Sequence, residues 1–226
     1  MHIPDGFLTA EVALACAVPA VACVAIGLRR ANVELDERRV PLLGVTAAFI
    51  FAVQMLNFPV AGGTSGHFLG ASLAAILLGP WLACLVMAVV IATQAFFFAD
   101  GGVTALGANV LNMGIVGALA VGFAMLLARR YLPRSTPWFL GIVAVGAWGA
   151  VMLGATATSL ELALSYTVPL ATVLPAMLGV HALIGIGEAI VTVAAVSAIL
   201  ASRPDLIWAR EAELELDVAG LRPVEA

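Results

Sequence analysis

Long runs of apolar residues, separated by short polar breaks, constrain this chain more than any other feature of its sequence. A transmembrane helix needs about 20 mostly apolar residues to cross the hydrocarbon core of a bilayer. Only 11% of the 226 residues are charged, which excludes an ordinary soluble domain. We therefore predict an all-α integral membrane protein with about seven transmembrane helices. The predicted spans are residues 7–28, 40–58, 66–79, 81–99, 107–128, 138–163 and 169–200.

The arginines predict how these helices are oriented. The chain has no lysine, and its arginines fall into three groups, at residues 29–39, 129–134 and 203–222. Because cytoplasmic loops are enriched in arginine, all three groups are expected on the cytoplasmic side. The number of crossings between the first two groups must then be even, so the short run 66–79 is expected to cross. This topology places the N-terminus outside and the C-terminus in the cytoplasm.

The expected outer face carries no arginine but collects histidines and carboxylates. His2 and Asp5 precede the first run, the loop AGGTSGH ends at His67, and the loop DGGVTALGAN begins at Asp100. This asymmetry suits a cation that arrives from outside. The first positive charges, Arg29 and Arg30, follow the first apolar run, so no cleavable signal peptide is expected and Met1 is expected to be retained.

The first two residues have the groups needed for a metal chelate. The α-amine of Met1, the amide nitrogen of His2 and Nδ1 of His2 can close two adjacent chelate rings around one ion. One further imidazole, for which His67 is the available candidate, completes a planar set of four nitrogens. Square-planar nitrogen coordination is characteristic of Ni(II) or Cu(II), whereas zinc prefers a tetrahedron. Met1, His2 and His67 are therefore the predicted metal ligands.

Several other polar residues are candidates for supporting these ligands without binding the metal. Asp5 is suited to balance the charge of the ion or to hydrogen-bond a ligand. Asp100 precedes two glycines, as turn chemistry favours, so support and plain loop structure both stay open for it. The same alternatives apply to the other candidates near the expected outer loops, which are Ser65, Asn109 and Asn112.

His181 and Glu188 lie seven positions apart on one predicted helix, and hence on one face. Ionisable groups at membrane depth are frequently functional, but these two could equally satisfy each other or a neighbouring helix. The three cysteines, Cys16, Cys23 and Cys84, lie in apolar runs without CxxC spacing. We interpret the cysteines as small packing residues rather than metal ligands or disulfide partners.

Four stretches of the sequence resemble one protein family, the nickel and cobalt substrate-capture (S) subunits of energy-coupling-factor (ECF) transporters, the CbiM/NikM family. The resemblance implies a metal held by Met1, His2 and His67, with Ni(II) or Co(II) as the transported substrate. The IPDG start and the GTSGH loop are closer to the nickel members. The four stretches are MHIPDGFL at the N-terminus, LNFPVAGGTSGHFLG at 56–70, FFFADGGVTALGANVLNMG at 96–114 and HALIGIGEAIVT at 181–192.

The resemblance also implies partners. These are a transmembrane coupling (T) component, cytoplasmic ATPase subunits and a small accessory membrane subunit, in a bacterial or archaeal cell membrane. Surrounding lipid is expected, and nucleic acid is not. The chain has neither a GxxxxGK[ST] loop nor any lysine, so we expect a transporter subunit that is not itself an enzyme.

The expected domains are a transmembrane metal-capture domain at 1–200 and a cytoplasmic tail at 201–226, read as a solvated surface. The alternative function is a secondary metal transporter driven by an ion gradient, with His181 and Glu188 as a proton relay. An intramembrane metalloenzyme is disfavoured, because the sequence has no HExxH pair of helical ligands.

Overall fold

The structure, a computed structural model, describes residues 1–35, 37, 39–131 and 135–210. It is a bundle of helices with a single pair of two-residue antiparallel strands among the described residues. A π-helical segment, Val110–Val116, joins α5 to α6, and a 3-10 turn, Pro204–Leu206, follows α8. The elements are α1 (Ala10–Glu34), α2 (Arg39–Gln54), β1 (Phe58–Pro59), β2 (Ser65–Gly66), α3 (Ala71–Leu78), α4 (Pro80–Phe98), α5 (Leu106–Asn109), α6 (Gly117–Tyr131), α7 (Thr136–Leu164) and α8 (Leu170–Ser202).

Each predicted apolar run contains a helix, which confirms the all-α fold class. Among the described residues, five helical stretches are long and apolar enough to cross a membrane, and α2 is a shorter apolar helix of 16 residues. The count of seven crossings and the direction of the termini stay predictions. The five stretches are Ala10–Glu34, Pro80–Phe98, Leu106–Ala128, Thr136–Leu164 and Leu170–Ser202.

The predicted run 66–79 is only partly helical. Its helix, α3, has 8 residues, all of them buried at the centre of the bundle. At 1.5 Å per residue this helix is about 12 Å long, less than half the thickness of the hydrocarbon core. The residues before α3 form a non-helical segment, 62–70, that packs along α8. Its contacts step along that helix: Gly62 with Thr172, Gly63 with Met177, Gly66 with Ile184, and Gly70 with Glu188.

Segment 62–70 packs closely on α8, and glycines stand at its contact positions. A Cβ atom added to Gly63 would lie 2.6 Å from the sulfur of Met177, and one added to Gly66 would lie 2.8 Å from Cδ1 of Ile184. Irregular backbone at membrane depth is tolerated only where it is buried in protein or lines a cavity. The glycines therefore allow this loop to lie inside the bundle.

Glu188 anchors the inner end of segment 62–70. Its carboxylate accepts hydrogen bonds from the backbone nitrogens of Leu69, at 2.9 Å, and Gly70, at 2.7 Å. These are the donors immediately before α3, which have no carbonyl partner within that helix. Glu188 is 3% exposed, so the carboxylate and the two donors satisfy one another where water is excluded. Glu188 thus fixes the loop that carries His67.

The described part of the tail packs on the bundle. Ile207 and Ala209 are buried, and the ring of Trp208 lies 3.0 Å from the position of a Cβ added to Gly79. Gly79 has a φ of +84°, which favours glycine at the corner between α3 and α4. The start of the tail is therefore a packed segment, unlike the solvated surface that we expected. Residues 211–226 lie outside the described residues.

Candidate metal centre

The first three residues are buried inside the bundle. The exposed fractions of Met1, His2 and Ile3 are 0%, 3% and 0%. The backbone of Ile3 is paired with the side chain of Asn109, whose Oδ1 accepts from the Ile3 nitrogen at 2.8 Å and whose Nδ2 donates to the Ile3 carbonyl at 3.1 Å. Chain termini are ordinarily poorly ordered unless they are tied down. The two hydrogen bonds from Asn109 therefore hold the N-terminal segment in place.

The loop after α4 closes over this N-terminal segment. The nitrogen of Gly102 donates to the carbonyl of Ile3 at 2.8 Å, and a Cβ added to Gly102 would lie 2.3 Å from the nitrogen of Asp5. Oδ1 of Asp5 accepts from the nitrogen of Thr104 at 2.7 Å and from its hydroxyl at 2.5 Å. These hydrogen bonds lower the pKa of the Asp5 carboxyl. Asp5 thus ties the N-terminal segment to the loop.

The α-amine of Met1 lies against Ser65. It donates to the carbonyl of Ser65 and, at 3.0 Å, to its Oγ, which also accepts from the amide nitrogen of His2 at 3.2 Å. Burial lowers the pKa of the amine from 8.0 to about 4, against the opposing effect of the Asp100 carboxylate. The amine is therefore uncharged at neutral pH. A neutral amine that donates two hydrogen bonds still has its lone pair for a metal.

The ring of His2 lies between His67, Gln94 and Asp100. The ring centroids of His2 and His67 are 4.6 Å apart with an interplanar angle of 27°. Nε2 of His2 is 3.1 Å from Oε1 of Gln94, and Nδ1 is 3.1 Å from Oδ1 of Asp100. Asp100 also accepts from Nδ2 of Asn57 at 3.1 Å. Burial raises the pKa of Asp100, but the contact with His2 and the Asn57 hydrogen bond lower it overall.

His67 presents an unpaired ring nitrogen. Its side chain is 1% exposed, and Nδ1 donates to the carbonyl of Phe68 at 2.7 Å. This bond places the proton on Nδ1 and leaves the lone pair on Nε2, which is buried and has no hydrogen-bond partner. Buried polar atoms without partners are rare because they are costly. The lone pair on Nε2 of His67 is therefore available to a ligand.

The side chain of Asn112 is paired with residues of α7. Its Nδ2 donates to Oε2 of Glu161 at 2.6 Å and to the hydroxyl of Thr158 at 3.3 Å, and Glu161 also accepts from the thiol of Cys16 at 3.2 Å. We did not predict roles for Glu161 or Gln94. Both are buried polar residues inside apolar runs, and that position alone marks a residue as a functional candidate in a membrane protein.

His181 and Glu188 satisfy separate backbone groups. Nδ1 of His181 is 2.7 Å from the carbonyl of Met177, whereas Glu188 binds the segment before α3. Within the described ranges, no three side chains of His, Cys, Asp or Glu are grouped so that they could hold a metal by themselves. A metal site at the N-terminus must therefore include other donors, and the amine and amide nitrogens are the ones at hand.

An open groove of about 610 Å³ leads to this part of the protein. Its lining includes the ring of His2, the carboxylates of Asp5 and Asp100, and Ser65. The groove therefore brings two acidic residues, Asp5 and Asp100, to the same opening as His2. Opposite charges along such a groove raise the local concentration of a cation.

Comparison with known proteins identifies the family. Residues 2–206 match the family described as "Cobalt uptake substrate-specific transmembrane region". A putative fused nickel transport protein of Archaeoglobus fulgidus is 41% identical over 221 residues, which cover 97% of this chain and 72% of that protein. A cobalt transport protein of Sorangium cellulosum is 36% identical over 215 residues, covering 92% of this chain and 94% of that protein.

The fold agrees with this assignment. A crystal structure described as a truncated transition metal transporter matches with a TM-score of 0.81 and 31% sequence identity, covering 88% of this chain and 98% of that one. This chain therefore belongs to the family of cobalt-uptake substrate-specific transmembrane proteins, and it is a multi-pass membrane component of nickel or cobalt uptake in prokaryotes.

Proposed function

We propose that this chain captures Ni(II) or Co(II) from outside the cell for an ATP-driven importer of the ECF type. Four nitrogens hold the ion: the α-amine of Met1, the amide and Nδ1 of His2, and Nε2 of His67. The observation that carries this proposal is that the buried amine of Met1 and the amide of His2 share the hydroxyl of Ser65, while the ring of His67, with Nε2 unpaired, stacks on the ring of His2. A single Ni(II) or Co(II) ion would bind the lone pair of the Met1 amine and that of Nε2 of His67.

Binding exchanges existing contacts for bonds to the metal. The His2 amide would release its proton to solvent and lose its hydrogen bond to Ser65. The ring of His2 would carry its proton on Nε2, facing Oε1 of Gln94, so that Nδ1 exchanges Asp100 for the ion. A divalent ion less one amide proton leaves one net positive charge. The Asp100 carboxylate, which already lies 3.1 Å from Nδ1, is placed to balance this charge. Asn109 supports the chelate by holding the backbone of Ile3.

Among the two metals, nickel suits this donor set better. The amine, amide and imidazole nitrogens of Met1 and His2 lie near one plane when they bind one ion, and His67 fills the remaining place. Ni(II) accepts planar nitrogen coordination readily, whereas zinc prefers a tetrahedron and magnesium prefers oxygen. The named relatives include both nickel and cobalt transport proteins, so we retain Co(II) as a substrate.

We further propose that the chain crosses the membrane seven times, with the N-terminus outside. The third crossing combines segment 62–70 with α3. The contacts of this segment along α8 run from Thr172 to Glu188, a distance of about 24 Å at 1.5 Å per residue. The short helix then completes the span. This arrangement gives the even number of crossings that the arginine groups require.

The topology predicts which loops an impermeant reagent reaches. Pro169→Cys lies in the α7–α8 loop and is expected to react with a membrane-impermeant maleimide in intact cells, whereas Ser135→Cys, before α7, is expected to react only after permeabilisation. Both positions are exposed. Wild-type protein is the control for the native thiols, of which Cys16 and Cys84 are buried. Labelling of Ser135→Cys in intact cells would contradict the proposed orientation.

Uptake is expected to require partner subunits. We predict that vesicles containing this chain with a coupling component and ATPase subunits accumulate nickel when ATP is supplied, and that the chain alone does not. The alternative, a gradient-driven transporter, predicts uptake by the chain alone under an imposed proton gradient. That alternative needs His181 and Glu188 to relay protons, but they bind separate backbone groups. Gradient-driven nickel flux without partners would overturn our proposal.

A further inference from the structure

The side chain of Met1 lies in a recess of α7 at Gly154. Gly154 is buried, and a Cβ atom added to it would lie 3.2 Å from the sulfur of Met1 and 3.4 Å from its terminal methyl carbon. Met1 itself is 0% exposed. Because protein interiors are close-packed, a larger residue at position 154 would compete with the thioether of Met1 for the same space.

Asn112, in the π-helical segment, lies beside this recess. Its carbonyl oxygen would be 3.0 Å from the same added Cβ. Its Nδ2 donates to the hydroxyl of Thr158 at 3.3 Å and to Oε2 of Glu161 at 2.6 Å. Gly154, Thr158 and Glu161 follow one another at intervals of four and three residues, so they share one face of α7. The two hydrogen bonds therefore hold the π-helical segment against the face that carries the recess.

The position of the Met1 side chain is coupled to the proposed chelate through covalent bonds. An ion bound to the α-amine of Met1 and to the amide nitrogen of His2 closes a ring that also contains Cα of Met1. The side chain is attached to this Cα, so a side chain fixed in the recess fixes one atom of the ring. The amine donates to Oγ of Ser65 at 3.0 Å. Met1 is thus held both at its amine and at its thioether.

We propose that Gly154 is a positioning residue of the metal centre, whose recess accepts the unbranched thioether side chain of the first residue and so sets the place of the amine. This inference rests on the proposed function. Methionine suits such a recess because its flexible, unbranched side chain fills irregular gaps. The hydrogen bonds to Ser65 leave Met1 free to turn about its own bonds, and packing at Gly154 removes that freedom before the ion arrives. A chelate ordered in advance binds more tightly, because less freedom is lost on binding.

The test combines two substitutions, Gly154→Val and Met1→Ala, in protein made by cell-free synthesis with an initiator transfer RNA charged with methionine or alanine. Mass spectrometry shows that the amine is free in each protein, and calorimetry measures nickel affinity. With methionine first, Gly154→Val is expected to lower the affinity by about 10-fold or more, as for loss of a group that orients a metal ligand. In the Met1→Ala protein, which has no thioether to displace, Gly154→Val should change the affinity by less than about 2-fold.

Gly149→Val is the matched control. Gly149 lies on the same helix, and a Cβ added to it would have no atom of the described residues within 4 Å beyond its chain neighbours and the backbone of its own helix. This variant makes the same change in helix propensity and should leave nickel affinity unaltered. Gly154→Ala adds a single methyl group and is expected to give a smaller loss with methionine first. It decides the question if thermal unfolding shows that Gly154→Val is not folded.

Equal losses in the methionine and Met1→Ala proteins would mean that position 154 acts through α7 or Asn112, and would overturn the positioning role. Nickel affinity unchanged in the folded variants at position 154 would overturn it as well. The proposed function fails by a separate observation. In that case, protein whose Met1 amine carries a formyl group would bind nickel as tightly as protein with a free amine.

Discussion

Protein that keeps the formyl group of its initiator methionine is expected to lose tight nickel binding, by more than about 100-fold, the upper end of the loss caused by removing a group that only supports a metal ligand. Formylation turns the Met1 amine into an amide, whose nitrogen lone pair is delocalised into the formyl carbonyl and is not available without loss of a further proton, yet it changes no residue. Synthesis in a cell-free system into nanodiscs, with and without deformylase, gives the matched pair. Calorimetry and the optical spectrum of the nickel complex measure the difference.

The formyl group is a sharper probe than an N-terminal tag. Met1 is 0% exposed, so a long extension would disturb its packing as well as its chemistry. The formylated nitrogen keeps one N–H for the Ser65 carbonyl, and thermal unfolding of the two metal-free forms shows whether packing is preserved. A tag placed after Ala226 is the second control and should not alter nickel affinity. Equal affinities with and without the formyl group would mean that the site uses side chains only.

His67→Asn is expected to lower nickel affinity by at least the 10- to 100-fold typical of losing a group around a metal site. The asparagine amide can still donate to the carbonyl of Phe68, as Nδ1 does at 2.7 Å, but it lacks the lone pair of Nε2. Folding should therefore be retained while the fourth nitrogen is lost. Competition with a nickel-binding dye measures the affinity.

Ser72→Ala is the matched control for this variant. Ser72 is buried in α3, a few residues after His67, and its hydroxyl has no hydrogen-bond partner. Removing that hydroxyl should leave nickel affinity unchanged. His67→Ala, which also removes the ring stacked on His2, should bind no better than His67→Asn. Nickel affinity that survives in His67→Asn would exclude His67 as a ligand and leave its unpaired nitrogen without a function.

Local features of the sequence were sufficient for the class of the molecule and for proposing a chelate at its N-terminus. Apolar runs of about 20 residues specify membrane helices, because no other structure satisfies their backbone polar groups in lipid. The proposed chelate of Met1 and His2 is also local, since its three nitrogens belong to adjacent residues. The run 66–79 was predicted as a membrane helix, but only residues 71–78 of it are helical. Hydropathy responds to burial in protein as well as in lipid, and all eight residues of this helix are buried inside the bundle.

Residues distant in sequence were brought together only by tertiary structure. The Met1 amine meets Ser65, 64 positions away, and Glu188 binds the nitrogen of Gly70, 118 positions away. A period of seven correctly puts His181 and Glu188 on one face of α8, but it cannot say what packs against that face. The sequence thus determined which donors exist and which helices carry them. Packing decided which of them meet, because a buried polar group takes whichever partner the fold brings within hydrogen-bond distance.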